Sequence, residues 1–237
     1  MTISRDRLAA SAAGLGLALA ESQLELFDRY AARLVEGARA FNLTTVIAPE
    51  EVEAKHFLDS LSVAPALPAN ARRVIDVGTG AGFPGIPLKI ARPKLKVTLL
   101  EATGKKASWL REIVRDLDLR DVDVVAERAE ALGHDPQHRG RYDVSVARAV
   151  APLAVLIELC LPFVPIGGLL IAQKTAGAAE EVAAASRALD LVGGRTTEVR
   201  PVSHAALPNR ALVIVEKIRE TSAIYPRRPG LPTKRPL

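Results

Sequence analysis

The residues with the clearest capacity for chemistry form a glycine-rich run from Asp76 to Gly85, with the sequence Asp-Val-Gly-Thr-Gly-Ala-Gly-Phe-Pro-Gly. Glycines are needed where a backbone turns sharply and approaches a ligand, because a Cβ atom would clash there. Gly80, Gly82 and Gly85 match the pattern G-x-G-x-x-G. Glu101 follows at about the 20-residue distance at which an acidic side chain binds a ribose hydroxyl. The run predicts a loop that binds a cofactor containing a nucleoside.

Two classes of cofactor fit such a loop, a nicotinamide dinucleotide and S-adenosylmethionine. Asp76 precedes the first glycine of the run, Gly78, by two residues. A carboxylate in that position can meet a cationic part of a ligand more readily than a pyrophosphate. S-adenosylmethionine carries a ribose and a positive sulfonium and has no phosphate. It is therefore the favoured cofactor, and a nicotinamide-dependent oxidoreductase stays open as the alternative.

Short apolar runs alternate with amphipathic stretches on both sides of this loop. Such alternation predicts an α/β fold with a mostly parallel sheet of seven strands, covered by helices on both faces. No helix is predicted between the last two strands, so they should form an antiparallel hairpin, unlike the second half of a dinucleotide-binding fold. The predicted strands cover residues 74–77, 97–100, 122–126, 142–147, 168–172, 196–200 and 211–217, and the predicted helices between them cover residues 84–90, 105–117, 152–161 and 178–191.

The sequence divides into three predicted parts. Residues 1–70 are predicted to be an N-terminal helical extension, because apolar residues recur there at helical spacing and Pro49 opens a second helix. Residues 71–217 form the cofactor-binding domain. Residues 218–237 are a basic, proline-rich tail. Six basic residues and one acidic residue follow Glu216, so the whole net charge of +5 lies at this end of the chain. Such a tail suits contact with nucleic-acid phosphates, although a disordered, solubilising tail has the same composition.

Composition excludes several other classes. The only cysteine, Cys160, lies in an apolar run, so neither a disulfide framework nor a cysteine-rich zinc site is possible, and no metal is expected. Aromatic residues are too few for an RNA-binding domain that stacks bases on a sheet surface. The chain has no apolar segment long enough to cross a bilayer and no clear signal peptide. A cytoplasmic protein without membrane contact is expected.

Four motifs occur in an order that resembles a known family. They are Asn42-Leu43-Thr44, His56-Phe57-Leu58-Asp59-Ser60, the run from Asp76 to Gly85 continued by Ile86-Pro87-Leu88, and Ala147-Arg148-Ala149. Together they closely resemble the bacterial small-subunit rRNA guanine-N7 methyltransferases, the RsmG family, formerly called glucose-inhibited division protein B. The resemblance covers roughly residues 20–217. Tyr225-Pro226-Arg227-Arg228-Pro229-Gly230 also resembles a tail found in part of that family.

The resemblance implies a class I S-adenosylmethionine-dependent methyltransferase with a Rossmann-like fold. Such an enzyme transfers a methyl group to N7 of one guanine in the 530 loop of 16S rRNA and releases S-adenosylhomocysteine. The substrate could be naked rRNA, the 30S subunit or an assembly intermediate, and the enzyme is expected to be a monomer. A non-catalytic rRNA-binding assembly factor remains a second alternative.

The loop and the resemblance together predict the site residues. Arg148 is predicted to be catalytic, because it ends the fourth strand and would face both the cofactor and the guanine. The predicted cofactor contacts are Asp76, Gly78, Gly80, Gly82, Phe83, Glu101, Ala102, Thr103, Ala129, Glu130 and Arg148. The predicted substrate contacts are Asn42, His56, Lys174, Arg227 and Arg228. The sequence Gln173-Lys174-Thr175 departs from the family, which more often has Leu-Lys-Gly there.

The residues themselves favour N7 mainly by exclusion. Enzymes that methylate exocyclic amines often carry Asn/Asp-Pro-Pro-aromatic after the fourth strand, where this chain has Arg148-Ala149-Val150-Ala151. Enzymes that methylate carbon 5 of pyrimidines need a nucleophilic cysteine, and Cys160 is predicted to be buried. Guanine N7 has an in-plane lone pair and no proton to remove, so its methylation reduces to alignment and exclusion of water.

Overall fold

The computed structural model describes residues 2–41, 43–175 and 177–237, and Asn42, predicted to contact the substrate, lies outside them. The seven strands are β1 Arg73–Val77, β2 Lys96–Leu100, β3 Val122–Val125, β4 Val144–Arg148, β5 Leu169–Thr175, β6 Gly194–Pro201 and β7 Arg210–Lys217. The α-helices are α1 Arg5–Gly14, α2 Glu21–Phe41, α3 Pro49–Glu51, α4 Asp59–Leu61, α5 Gly85–Ala91, α6 Gly104–Asp116, α7 Ala129–Leu132, α8 Leu153–Cys160, α9 Ala178–Ala184, α10 Ser186–Val192 and α11 Leu231–Lys234.

The seven strands form one sheet in the order β3-β2-β1-β4-β5-β7-β6. β1 to β5 are parallel, and β7 runs antiparallel to both β5 and β6, which confirms the predicted C-terminal hairpin. The strand order reverses between β1 and β4, and ligands of such sheets bind at this switch point, beyond the carboxyl ends of the strands. The glycine-rich loop follows β1, and Arg148 ends β4. The topology thus brings the two strongest sequence signals to the same crevice.

The N-terminal helices share a core with one face of the sheet. Phe27, Tyr30 and Phe57 are fully buried in the same apolar cluster as Val74 of β1 and Ile86 of α5. The predicted limit at residue 70 therefore marks a change of secondary structure, but the core continues across it. A second cluster lies on the opposite face and contains α8, α10 and, from the C-terminal tail, the buried ring of Tyr225.

Several elements differ from the sequence predictions. Residues 49–61 are helical as predicted, but a π-helical stretch, Val52–Leu58, joins α3 to α4. The helix predicted over residues 178–191 is broken at Ala185 into α9 and α10. Pro84 is predicted as the first helical residue of α5, but in the structure it is the N-cap, with φ −89° and ψ 0°. The one-turn helices α7 and α11 were not predicted, because four residues are too few to show a helical period.

Within the described ranges, no helix is long and apolar enough to cross a membrane.

Candidate active site

Asp76 is the residue on which the glycine-rich loop closes. Its side chain is completely buried, and its Oδ2 accepts hydrogen bonds from Thr79 Oγ1 at 2.5 Å and from the Gly85 amide at 2.7 Å. Its Oδ1 is buried and has no partner among the described residues. Burial raises the pKa of this carboxyl to about 7, against the opposite effect of the two hydrogen bonds. A cationic group brought close to Oδ1 would favour the charged carboxylate.

The loop presents Gly80 to a cavity of about 300 Å³. Gly80 has φ +61°, and a Cβ atom added to it would meet nothing within 4 Å. Its amide donates to Glu101 Oε2 at 3.0 Å, and Glu101 Oε1 accepts the Thr103 amide at 2.7 Å. Glu101 thus stands at the end of β2 with its carboxylate against the loop. On one side of the cavity the backbone at Gly80 is not covered by a side chain, and on another side lies the Glu101 carboxylate. This arrangement suits a ligand that contains a ribose and an amino acid group.

Only some of the other predicted cofactor residues line this cavity. Gly78, Phe83 and Arg148 line it with Gly80 and Glu101. Gly82 does not, because its own α-carbon faces the protein, where a Cβ atom would lie 2.7 Å from the Tyr30 hydroxyl. Ala102 and Thr103 are exposed residues that follow Glu101. Ala129 and Glu130 lie in α7, beyond the end of β3.

An aromatic and cationic stack separates this cavity from a second one. The His56 ring lies parallel to the Phe83 ring, with centroids 4.5 Å apart, and the Arg148 guanidinium lies 4.7 Å from the centroid of Phe83. The Tyr30 hydroxyl donates to the Ala81 carbonyl beneath them. The N-terminal helices therefore supply the wall that holds the glycine-rich loop and Arg148 in place.

Asp59 fixes the position of Arg148. Arg148 Nη1 donates to Asp59 Oδ2 at 3.1 Å and to the Lys55 carbonyl at 2.8 Å, while Arg210 Nε pairs with Asp59 Oδ1 at 3.2 Å. Asp59 is buried, so both ion pairs are shielded from solvent on the aspartate side. The Gln173 amide donates to the Asp59 backbone carbonyl at 2.7 Å. The Asp59 side chain thereby joins the ends of β4 and β7 to the π-containing helix, and its backbone carbonyl adds β5.

The second cavity, of about 430 Å³, lies on the other side of this arrangement. It shares His56, Arg148 and Ala149 with the first cavity. Cations and acids alternate around the rest of its wall, which includes Lys55, Asp59, Lys174, Glu181 and Arg210. Two cavities that meet at His56, Arg148 and Ala149 can hold two reactants with their reactive groups facing each other.

His56 is neutral at physiological pH. Burial, together with the adjacent charge of Arg148, lowers its pKa from the ordinary 6.5 to about 4. Its Nε2 lies 3.0 Å from Thr44 Oγ1, and its Nδ1 lies 3.4 Å from Arg148 Nη2. Because a guanidinium can only donate, Nδ1 must accept, and the proton belongs on Nε2. The uncharged ring can therefore stack on Phe83 without repelling Arg148.

We expect acid to destabilise the protein through His56. The folded state resists protonation of this ring and the unfolded state does not, so the contribution to stability is complete above pH 6.5 and is lost as the pH falls towards 4. The loss reaches at most about 1.4 kcal/mol per pH unit. Urea unfolding at pH 7 and pH 5 should show a smaller loss in His56→Gln than in the wild type. An identical loss in both proteins would contradict the prediction.

Two of the predicted substrate contacts are held by acidic partners. Lys174 Nζ lies 2.6 Å from Glu181 Oε2 and 2.9 Å from the Ala151 carbonyl, although its side chain still borders the second cavity. Arg227 donates through Nη2 to Glu158 Oε2 at 2.6 Å and is turned towards the protein. In this structure Arg227 is engaged by an acid of its own domain, and its predicted contact with RNA stays a prediction. Its neighbour Arg228 is exposed.

Sequence reasoning missed the roles of Asp59 and Glu158. The motif that contains Asp59 does not indicate its partners, because its ion pairs join residues 89 and 151 positions apart. Glu158 did leave a signal, because an acid within the apolar helix Leu153–Cys160 must find a buried partner.

Cys160 is fully buried, and burial raises the pKa of its thiol far above the ordinary value, so it cannot act as a thiolate. Within the part of the chain that the structure describes, no cluster of residues could hold a metal ion.

Comparison with known proteins identifies relatives of the whole chain. The family described as rRNA small subunit methyltransferase G matches residues 23–213. A protein of Roseiflexus sp. (strain RS-1), named ribosomal RNA small subunit methyltransferase G, is 47% identical over 98% of this chain and 99% of its own. A protein of the same name from Pelotomaculum thermopropionicum is 44% identical over the full length of both chains.

Solved structures agree on the fold. MtNAS, solved as a variant in complex with S-adenosylmethionine, superposes with a TM-score of 0.53 at 18% identity, covering 91% of this chain and 78% of that one. The YcgJ protein from Bacillus subtilis gives 0.52 at 12% identity, covering 69% of this chain and all of that one. With the seven-stranded sheet and its C-terminal antiparallel hairpin, these likenesses confirm the predicted class I methyltransferase fold.

Proposed function

Because the chain belongs to the rRNA small subunit methyltransferase G family, we propose that it transfers a methyl group from S-adenosylmethionine to N7 of one guanine in the 530 loop of 16S rRNA. The observation that carries the proposal is the meeting of two cavities at Arg148, one of them lined by the glycine-rich loop. The smaller cavity would hold the cofactor and the larger one the base.

The residues of the smaller cavity, together with Asp76 buried behind the glycine-rich loop, fit S-adenosylmethionine. The unpartnered Asp76 Oδ1 suits a cationic part of the ligand, the open space at Gly80 suits close approach of its chain, and Glu101 suits a ribose hydroxyl. A dinucleotide would instead bring a pyrophosphate close to two buried acids, Asp76 and Glu101. When bound, S-adenosylmethionine supplies an electrophilic methyl carbon on a positive sulfur.

Arg148 would orient the guanine. Its guanidinium can donate to O6 of the base, which leaves the neighbouring N7 lone pair free to form the new bond to carbon. S-adenosylmethionine would supply the methyl carbon with cleavage of its bond to sulfur, so that the products would be neutral S-adenosylhomocysteine and a positively charged guanine ring. No proton has to be removed. Asp59 offsets the charge of Arg148, so this developing cation does not face an unpaired arginine.

The rRNA would be bound by groups around the larger cavity and by the exposed cations of the tail. His56 and Lys174 border the cavity, and Arg228, Lys234 and Arg235 are exposed at the C-terminal end. Contacts of this kind with phosphate give affinity that depends on salt. We propose a monomer acting in the cytoplasm, on naked rRNA, the 30S subunit or an assembly intermediate.

Methyl transfer to defined RNAs tests the proposal. The protein is incubated with S-adenosylmethionine labelled in the methyl group and with unmodified 16S rRNA or 30S subunits, and the labelled base is mapped. We expect label on a single guanine of the 530 loop. The matched control is the same RNA with 7-deazaguanine at that position, which replaces only N7 by carbon and should accept no label.

Three results would contradict this function. Undiminished labelling of the 7-deazaguanine RNA would place the methyl group on another atom. Absence of transfer together with tight RNA binding and no binding of S-adenosylmethionine would favour the assembly factor. Reduction or oxidation of a nicotinamide cofactor would favour the oxidoreductase.

A further inference from the structure

The C-terminal tail, residues 218–237, folds back onto the edge of the protein that carries α7. The ring of Tyr225 is buried in the second core, and the Pro226 ring packs against Gly133, directly after α7. The Pro226 carbonyl lies 2.7 Å from His134 Nε2. The Gly230 amide donates to Glu130 Oε1 at 2.8 Å. The tail is thus an ordered part of the surroundings of α7.

An ion pair between Arg227 and Glu158 closes the tail onto the domain; we refer to these two residues as the tail latch. Glu158 has no exposed surface, and its Oε1 accepts both the backbone amide and Nε of Arg227, each at 2.8 Å. Its Oε2 accepts Arg227 Nη2 at 2.6 Å. The paired carboxylate raises the pKa of Arg227. Because a buried carboxylate is unfavourable without a charged partner, Glu158 strongly favours the closed tail.

Arg139 ties the tail to the residues after α7. Its guanidinium donates to the Gly133 carbonyl at 2.8 Å, and on the tail to the carbonyls of Tyr225 at 2.8 Å and Thr221 at 2.7 Å. One side chain therefore holds both segments at a fixed distance. Arg139 and Pro226 thus contact the residues that directly follow α7, and Gly230 contacts Glu130 within α7.

α7 needs such support because it is a single turn of four residues, far shorter than a helix that is stable alone. It also follows the carboxyl end of β3, which pairs with β2, and Glu101 directly after β2 lines the cofactor cavity. The Glu101 amide donates to the Val125 carbonyl at 3.1 Å, and α7 begins four residues after Val125. α7 therefore lies at the same edge of the sheet as Glu101 and the cofactor cavity.

We propose that the tail latch orders α7 against the adenosine end of the cofactor site, so that Arg227 and Glu158 are positioning residues for S-adenosylmethionine. The proposal rests on the proposed function, which places the cofactor in that cavity. Without the latch, α7 would have to be ordered when the ligand binds, and the lost entropy would weaken binding. The tail then has two roles. Arg227, which faces the protein, positions the cofactor site, and Arg228, which faces solvent, is available to the rRNA.

A paired substitution tests the latch without leaving a buried charge. Arg227→Met combined with Glu158→Gln removes both charges, and Arg228→Met is the matched control one residue away. Binding of S-adenosylhomocysteine and of 5′-methylthioadenosine is measured by calorimetry, with the melting temperature measured in parallel. We expect the paired variant to bind both ligands about tenfold more weakly, because both contain the adenosine half. The control should keep both affinities and make the salt dependence of rRNA binding shallower by about one unit.

Three results would overturn the proposal. A lower melting temperature with unchanged affinities would make the latch purely structural. A loss confined to S-adenosylhomocysteine would place the effect at the methionine half. If the paired variant does not fold, Gly230→Pro in the otherwise intact chain removes the amide that binds Glu130 and displaces this part of the tail, because proline cannot adopt φ +79°; unchanged affinities there would also overturn the proposal. A wild-type protein that binds neither ligand would instead mean that the proposed function is wrong.

Discussion

Replacing Arg148 by alanine is expected to lower methyl transfer to the ribosomal substrate about 100-fold, equivalent to about 2.7 kcal/mol at the barrier. The reason is geometric. Arg148 is held by Asp59, the Lys55 carbonyl and the face of Phe83 at the point where the two cavities meet. Without the hydrogen bond from Arg148, the guanine samples orientations in which N7 does not face the methyl group. A small misplacement of the reacting atoms can by itself reduce a rate by about 10²-fold. Single-turnover rates with saturating cofactor measure the effect.

The same substitution should change stability much less. Asp59 keeps Arg210 as a charged partner at 3.2 Å, so no buried carboxylate is left alone. We expect the melting temperature to fall by about 4 °C or less. Arg148→Lys keeps the charge but loses the planar fork of donors, and it should recover little of the rate. Arg195→Ala, on an exposed strand pair with Glu216, is the control and should leave the rate unchanged. Turnover of Arg148→Ala within about twofold of the wild type, or about 0.4 kcal/mol, would exclude the role.

The sheet could be predicted from the sequence because each strand is a local pattern. Alternation of apolar runs with helices, and the missing helix before β7, were enough to predict all seven strands and the hairpin. The place of Arg148 followed from the same reasoning, since the carboxyl ends of parallel strands lie at one edge of the sheet. Local patterns do not predict which distant residue a side chain pairs with. Asp59 and Arg148 are 89 residues apart, and nothing in either segment specifies the other.

The tail shows the same limit more clearly. Its composition suits either contact with phosphates or a disordered, solubilising tail, and it does not distinguish Arg227 from Arg228. The difference between them is made by Glu158, 69 residues away, which is buried and needs a cation. Composition describes a surface on average, whereas a single buried acid decides the direction of one side chain. The acid inside the apolar sequence of α8 was the sign that such a partner existed.

Gly80→Val is expected to abolish binding of S-adenosylmethionine while the protein remains folded. Gly80 has φ +61°, and its missing side chain would project into the open space of the smaller cavity, so valine would fill the volume proposed for the cofactor. A β-branched residue also disfavours this backbone conformation and would disturb the amide that bonds to Glu101. Calorimetry should detect no heat of binding at concentrations at which the wild type is saturated.

The control for backbone strain is Gly140→Val. Gly140 has φ +65°, and a Cβ atom there also meets nothing within 4 Å, but it lies before β4, at the opposite end of that strand from Arg148. Both variants should therefore lose similar stability, of the order of 1 to 3 kcal/mol from the strained conformation. Only Gly80→Val should lose the cofactor, because only its side chain enters the cavity. Equal loss of binding in both variants would attribute the effect to strain, and normal affinity in Gly80→Val would show that the cofactor does not lie against this loop.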